Sequence, residues 1–314
     1  MPMDPVTARA RRRRVESAAS LQAGLLTASQ LRTLGVTRGA MRAELAAERW
    51  SLRQQVVQVT QSGGHVAGWW NAVLARSPRA GGAAALGGLT SLLAAGMQGI
   101  AGDGLIHIAA PKSSRPLPAP DGVRVHETRR WRAEDIVADP IPRVRTPMAA
   151  VQAALWARTN REAALLLVAP VQQRLTTPEA VLEALEVVRR DRRRSLLRAV
   201  ADELVDGVRS LNELDFAALC RARGLPEPSR QVVVRTTTGR AYLDVRWDRW
   251  RVTVEIDGIG HLQLGRWLDD TARHNEIALT GDTVLRVPSL GIRLDPQPFL
   301  EQVERALRHN GWLP

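Results

Sequence analysis

Between Ala241 and Asp257 the chain alternates apolar and polar residues in two runs, and few folds accommodate that pattern. Ala241, Leu243 and Val245 interleave with Tyr242, Asp244 and Arg246; Val252, Val254 and Ile256 interleave with Thr253, Glu255 and Asp257. A two-residue period is that of a strand with one face against a core and the other facing away. The two runs therefore predict a β-hairpin whose outer face carries the acids. Asp248-Arg249 can close it as a tight turn. With that two-residue loop, position 244 pairs with 253 and position 242 with 255. Asp244 and Glu255 are then diagonal neighbours on one face, about 7 to 8 Å apart at the backbone.

Three carboxylates on one sheet face repel one another, so this pattern calls for a compensating cation. Magnesium and manganese are hard ions that take oxygen ligands. Magnesium is often held by one or two carboxylates, with substrate phosphates completing the shell. The grouping suits phosphodiester chemistry.

The order of motifs extends this reading. Glu213 stands on an expected helix, Asp244 on a strand, and Glu-x-Asp-Gly-x-x-His (Glu255, Asp257, Gly258, His261) on the next. An expected helix with Asp270 and Arg273 follows, then the strand Val284-Leu-Arg286. This series resembles an uncharacterised bacterial endonuclease-domain family related to the very-short-patch-repair (Vsr) endonucleases, within the PD-(D/E)xK superfamily. The resemblance covers Ser210 to Pro314. It implies a restriction-endonuclease-like αβββαβ core, a Mg2+ or Mn2+ ion held by Asp244, Glu255 and the carbonyl of Ile256, and an auxiliary acid at Glu213. It also implies attack on phosphorus by a water activated at the metal. The superfamily pattern places lysine two residues after the glutamate, whereas Asp257 stands there and the only lysine in the chain is Lys112. His261 or Arg273 would then orient the water or stabilise developing negative charge.

Each of these residues also has a plainer reading. Ser210-Leu-Asn-Glu213 has the spacing of a capping box, which needs no metal. Asp244 and Glu255 could form surface salt bridges with Arg246 or Arg251. Asp257 before Gly258 is turn chemistry. Asp270 and Arg273 could simply pair along a helix. Asp295-Pro296 caps a last helix that buries Phe299, Val303, Ala306 and Leu307.

The charge is unevenly placed. Residues 1–62 hold 10 arginines against 4 acids, residues 63–209 hold 20 basic against 14 acidic residues, and residues 210–314 hold 14 of each. Affinity for a polyanion such as DNA would therefore come mainly from the first two thirds. Cys220, the one cysteine, excludes an internal disulfide framework and reads as core filler. The six histidines show no paired zinc spacing. The basic run Arg11 to Arg14 is not followed by the apolar stretch of an export signal. The uncharged stretch 80–102 is built mostly of small residues, which predicts a buried helix with loops rather than a membrane span. A cytoplasmic protein without membrane contact is expected.

Residues 1–62 read as a winged helix-turn-helix. A first helix runs near Arg9 to Ala23; Thr27-Ala-Ser-Gln30 is a capping box for a short second helix; Gly35 makes the turn. Thr37 caps a helix over Arg38 to Glu48, with Met41 and Leu45 inward and Arg38 and Arg42 on another face. Trp50 to Val59 would be the wing. Arg38, Arg42, Arg49 and Arg53 are the candidate DNA contacts; a protein-docking platform with solvated arginines is the alternative. Together with Ala85-Leu-Gly-Gly-Leu, Leu105 to Pro111, Val123 to His126 and Ile141 to Pro147, this part resembles the AbiEi-type antitoxins of bacterial type IV toxin-antitoxin systems. That resemblance implies a DNA-binding regulator, compatible with a toxin-system partner and with a homo-oligomer.

Residues 63–209 read as a mixed α/β and helical middle region. Thr159-Asn-Arg-Glu162 and Thr177-Pro-Glu179 head two helices, the second long, with Leu182, Leu185 and Val188 as its apolar stripe. The run Arg189 to Arg194 reads as a solvated helix face or a phosphate-tracking patch. The expectation is thus an α/β multidomain chain: a metal-dependent DNA endonuclease targeted by its N-terminal domain, or a DNA-binding regulator built on a silent nuclease fold.

Overall fold

A computed structural model of the chain describes residues 5–61, 63–76, 84–112, 119–138, 140–206, 214–235, 241–258 and 283–314. It is a mixed α/β protein with three sheets, in two compact units, residues 1–153 and 154–314. Among the described residues no helix is long and apolar enough to cross a membrane. Within the small-residue stretch at 80–102, the described part forms a two-residue strand and the short buried helix Gly88–Ala94.

The first unit opens with α1 (Pro5–Ser20), β1 (Leu25–Thr27), α2 (Ala28–Thr33), α3 (Arg38–Ala46), β2 (Ser51–Arg53) and β3 (Val56–Gln58). Local chemistry dictates the breaks. Thr27 Oγ1 accepts from the Gln30 amide at 3.2 Å, and Gln30 Oε1 accepts from the Thr27 amide at 2.8 Å, a complete capping box. Gly35 takes φ +83°, open to glycine and strained for other residues. Thr37 then accepts from the Ala40 amide and starts α3. The strands form an antiparallel sheet in the order β1-β3-β2. Val15, Ala19, Leu26, Leu31, Val36, Val57 and Val59 are its core. α3 buries no residue fully, and only Ala40 and Met41 lean on that core.

Further along, α4 (Gly64–Arg76), β4 (Ala85–Leu86), α5 (Gly88–Ala94), β5 (Ile106–Pro111), β6 (Val123–Thr128), β7 (Ile136–Val137) and β8 (Arg143–Val144) build a mixed sheet in the order β6-β5-β4-β8-β7. Helix α6 (Thr146–Trp156) follows.

In the second unit α7 (Asn160–Gln172), α8 (Pro178–Glu186) and α9 (Arg194–Val205) are succeeded by α10 (Phe216–Ala222), β9 (Arg230–Arg235), β10 (Ala241–Trp247), β11 (Val252–Asp257), β12 (Thr283–Pro288), α11 (Ser289–Leu294) and α12 (Gln297–His309). Thr159 and Thr177 cap their helices, but the helix after Thr177 ends at Glu186. The arginine run beyond it is not one solvated face: Arg193 is buried, its side chain donating to Asn160 Oδ1 at 3.2 Å and to the Leu155 carbonyl at 3.0 Å. Non-local acceptors enclosed with the guanidinium explain why an arginine goes inward.

The four-stranded sheet has the order β12-β11-β10-β9, with β9, β10 and β11 antiparallel and β12 parallel to β11. Its inner face sets Leu243, Val245, Trp247, Val252, Val254, Ile256, Leu285 and Val287 against Phe216, Cys220, Phe299, Val303, Ala306 and Leu307. Burial pushes the Cys220 thiol up to about 12, as suits core filler. Gly291 admits close approach by α12: a Cβ there would meet Phe299 at 2.6 Å. Glu203 on α9 is enclosed and accepts from Ser289 Oγ and, at 3.1 Å, from Arg293 Nε, tying α9 to α11.

Candidate functional site

The hairpin forms with a different register from the one a two-residue loop gives. Asp244 lies directly opposite Glu255, Tyr242 opposite Asp257, and Trp247 opposite Val252. The connection is four residues long, a 3-10 turn over Asp248–Trp250 followed by Arg251 in the left-handed region at φ 54°. Its closing pair is two buried side chains, Trp247 and Val252, and the Trp247 indole donates to the Pro226 carbonyl at 2.8 Å. The slip relative to the expected pairing is two residues, so every side chain keeps its face. The consequence is that Asp244 and Glu255 are direct rather than diagonal neighbours, with Cβ atoms about 4.5 to 5.5 Å apart by strand geometry.

Across the outer face a row runs Val232, Asp244, Glu255, Arg286, one residue from each strand. Two carboxylates directly opposite each other destabilise a sheet unless neutralised. Here Arg230 Nη2 donates to Asp244 Oδ2 at 2.5 Å and Arg286 Nε to Glu255 Oε2 at 3.1 Å. The acids are tucked in, their side chains 15% and 23% exposed, while the arginines are 52% and 53% exposed. Val232 and Val284 on the same face are also exposed. The expected partners were Arg246 or Arg251. Arg246 instead donates to Asp248 Oδ1 at 2.7 Å, because the turn places an acid two residues away. The true partners sit on the edge strands, and a reading confined to the hairpin misses Arg230.

Asp257 follows Glu255 by two on the same strand and is half-buried. Ile256 turns its side chain into the core, so only its carbonyl could serve a ligand. Glu213, His261, Asp270 and Arg273 lie outside the described residues. Among the described residues no group of three or more His, Cys, Asp or Glu is placed to hold a metal. The donor set that is described, two facing carboxylates with oxygen donors only, matches a hard divalent ion in chemistry.

In the first unit, Arg38 and Arg42 are exposed on α3 and Arg53 on β2, and none has a hydrogen bond or ion pair with a described residue. Between α2 and α3 lies a groove of about 230 Å³ whose lining includes Arg32, Thr37, Arg38, Met41 and Arg42. Arg32 was not among the expected contacts. Arg49 differs from the others: its Nε donates to Glu44 Oε2 at 2.6 Å. That hydrogen bond holds Glu44 below the usual carboxylate range against the opposing effect of burial, with Arg12 and Arg11 adding to it.

A separate cluster lies on β5 and β6. His107 Nδ1 and His126 Nε2 are 3.0 Å apart, and His107 Nε2 is 3.1 Å from Asp103 Oδ1. With His107 donating to the carboxylate, its other nitrogen accepts from His126. Burial first, then His107 and Arg124, hold His126 down at about 4.

Comparison with protein-family models, with curated proteins and with solved structures finds no match.

Proposed function

We propose that this chain is a metal-dependent DNA endonuclease, its chemistry on the outer face of the four-stranded sheet and its DNA affinity on the α3 face of the first unit. The observation that carries the proposal is the direct pairing of Asp244 with Glu255 on a solvent-facing sheet surface, a costly arrangement that a divalent cation would relieve. The strand sequence, three antiparallel strands and then one parallel to the third, supports a restriction-endonuclease-like core. The order helix, strand, helix, helix, hairpin in residues 5–58 supports a winged helix, with α3 entering the major groove.

Asp244 and Glu255 would hold Mg2+ or Mn2+, with the Ile256 carbonyl as a third oxygen. Bound there, the cation would lower the pKa of a water and stabilise charge on the scissile phosphate. Within the protein, the partly enclosed carboxylates fix where positive charge can gather. Glu213, His261 and Arg273 keep their proposed roles: auxiliary acid, and orientation of the water or stabilisation of charge.

A second reading is an AbiEi-type DNA-binding regulator with a silent nuclease domain. The ion pairs that neutralise Asp244 and Glu255 favour it, as does Asp257 at the position of the usual lysine. Nicking of supercoiled plasmid by the full chain with Mg2+ or Mn2+ separates the two. Nicking that is lost with EDTA and in Glu255→Gln supports the enzyme. Duplex binding without cleavage under either metal removes the enzyme reading and leaves the regulator.

A further inference from the structure

We propose that His107 and His126 form a two-nitrogen chelate, oriented by Asp103, for a divalent transition-metal ion of tetragonal preference, Cu2+ or Ni2+. The site lies in the first unit and does not rest on the nuclease reading, whose oxygen donors suit harder ions.

Strands β5 and β6 are parallel neighbours, with His107 opposite Arg124 and Ala109 opposite His126. The two-residue period puts both imidazoles on one face, diagonally across the strand pair, while Ile108 and Val125 join the core on the other. His107 is buried, and His126, on the edge strand, is half-buried. The two are 19 residues apart, so no local spacing announces the pair.

Asp103 determines which nitrogens are offered. His107 Nε2 lies 3.1 Å from Asp103 Oδ1. A carboxylate there accepts from the proton-bearing nitrogen and leaves Nδ1 with its lone pair, the pairing that orients imidazole ligands around metal ions and raises their basicity. The Leu105 amide, donating to the same Asp103 oxygen at 3.1 Å, fixes the carboxylate in turn. His126 Nε2 faces His107 Nδ1 at 3.0 Å. When a metal takes Nε2, the proton of His126 moves to its own Nδ1, and both rings bind as neutral ligands.

The spacing selects the ion. With bonds of about 2.0 to 2.1 Å, two nitrogens 3.0 Å apart subtend about 90 to 97° at a metal. That is close to the right angle of a square-planar or tetragonal shell; a tetrahedral zinc ion needs the nitrogens about 3.3 Å apart. The rings are 10° from parallel, and each must turn toward an ion that sits off the line joining the nitrogens. His126 stands on an edge strand, where such a turn meets least packing. Waters complete the shell, since no third His, Cys, Asp or Glu among the described residues converges here. The cation described beside the pair is Arg124, whose Nη1 lies 3.6 Å from Asp103 Oδ2, so the carboxylate offsets its charge. An ion held by both rings would pin β6 to β5 and stabilise the first unit by mass action.

The test is a Cu2+ titration of the full chain, read by electron paramagnetic resonance for nitrogen splitting, beside His126→Gln and Asp103→Asn. Melting temperatures are measured with and without Cu2+. Wild type should bind one equivalent more than His126→Gln, with splitting from two imidazole nitrogens. Asp103→Asn should bind that equivalent about 10- to 100-fold more weakly. With free Cu2+ at about ten times the dissociation constant, wild type should melt about 3 to 6 °C higher and His126→Gln should not shift. Equal stoichiometry and affinity in wild type and His126→Gln overturns the site, as does copper held only at the other histidines or the amino terminus, which all three proteins share. Asp103→Asn binding as tightly as wild type overturns the role of the carboxylate. Should His126→Gln not fold, Asp103→Asn, which keeps both imidazoles, carries the test by its own loss of affinity.

Discussion

Arginines on α3 and arginines on the four-stranded sheet are both exposed, yet they meet different surroundings. Arg38 and Arg42 have no acid within reach among the described residues, whereas Arg230 and Arg286 each hold a carboxylate on a neighbouring strand. Charge balance explains the contrast. The first 62 residues carry 10 arginines against 4 acids, and residues 210–314 carry equal numbers. Where acids are scarce, arginine is left facing solvent; where they are matched, it is first a partner for them. The contrast teaches that one residue type can stand open to solvent in one place and be held by a carboxylate in another.

The largest effect should come from a pair that only looks like those on the sheet. Glu203 is buried against Ser289 and Arg293, so Glu203→Ala would strand a cation and cost about 3–5 kcal/mol in a urea melt. A loss below about 1 kcal/mol would mean that this buried pair behaves like a surface one.

A second effect belongs to the first unit and depends on pH. His126 in the native state sits at about 4 against the ordinary histidine value of 6.5, so the unfolded chain takes up the proton first. Its contribution to stability is full above pH 6.5 and shrinks as pH falls toward about 4. Melting temperatures of wild type and His126→Asn should therefore converge across that window. A constant difference would show that His126 takes up its proton as readily in the folded protein as in the unfolded chain.

On the α3 face, Arg38→Ala with Arg42→Ala should lower duplex affinity by about tenfold at low salt and reduce the salt slope by about 2. Arg49→Ala should do less, since Glu44 holds that guanidinium. Equal losses would erase the distinction between free and partnered arginines.

The smallest effect should be on stability at the sheet face. Asp244→Asn breaks an exposed pair but also relieves repulsion from Glu255, so thermal stability should move by less than about 1 kcal/mol in either direction. The same variant should lose Mn2+ binding, which separates the site from the scaffold.

How much of this was legible follows from sequence distance. The Thr27 and Thr37 caps and the two faces of the hairpin were readable because each is decided within a few residues. The alternation of Val252, Val254 and Ile256 fixes a face and leaves the register open, because a slip of two changes no face. The register is set by the 3-10 turn and by Arg251 at positive φ, conformations that its residue type does not announce. The partners of Asp244 and Glu255 are 14 and 31 residues away, and those of Arg193 are 33 and 38 away. Pairings at that range depend on how strands and helices assemble, which no local pattern specifies.

The two pairings on the sheet also close at different moments in the life of the chain. Arg230 has already been synthesised when Asp244 emerges, and β9 and β10 can form their antiparallel pairing at once. Glu255 emerges 31 residues before Arg286, and the parallel pairing of β11 with β12 must wait for it. At translation rates of about 5 to 20 residues per second, that leaves Glu255 facing Asp244 without its arginine for a few seconds on every ribosome. The nascent sheet therefore passes through a stage in which Glu255 lacks its arginine, and the last strand to arrive supplies the missing charge.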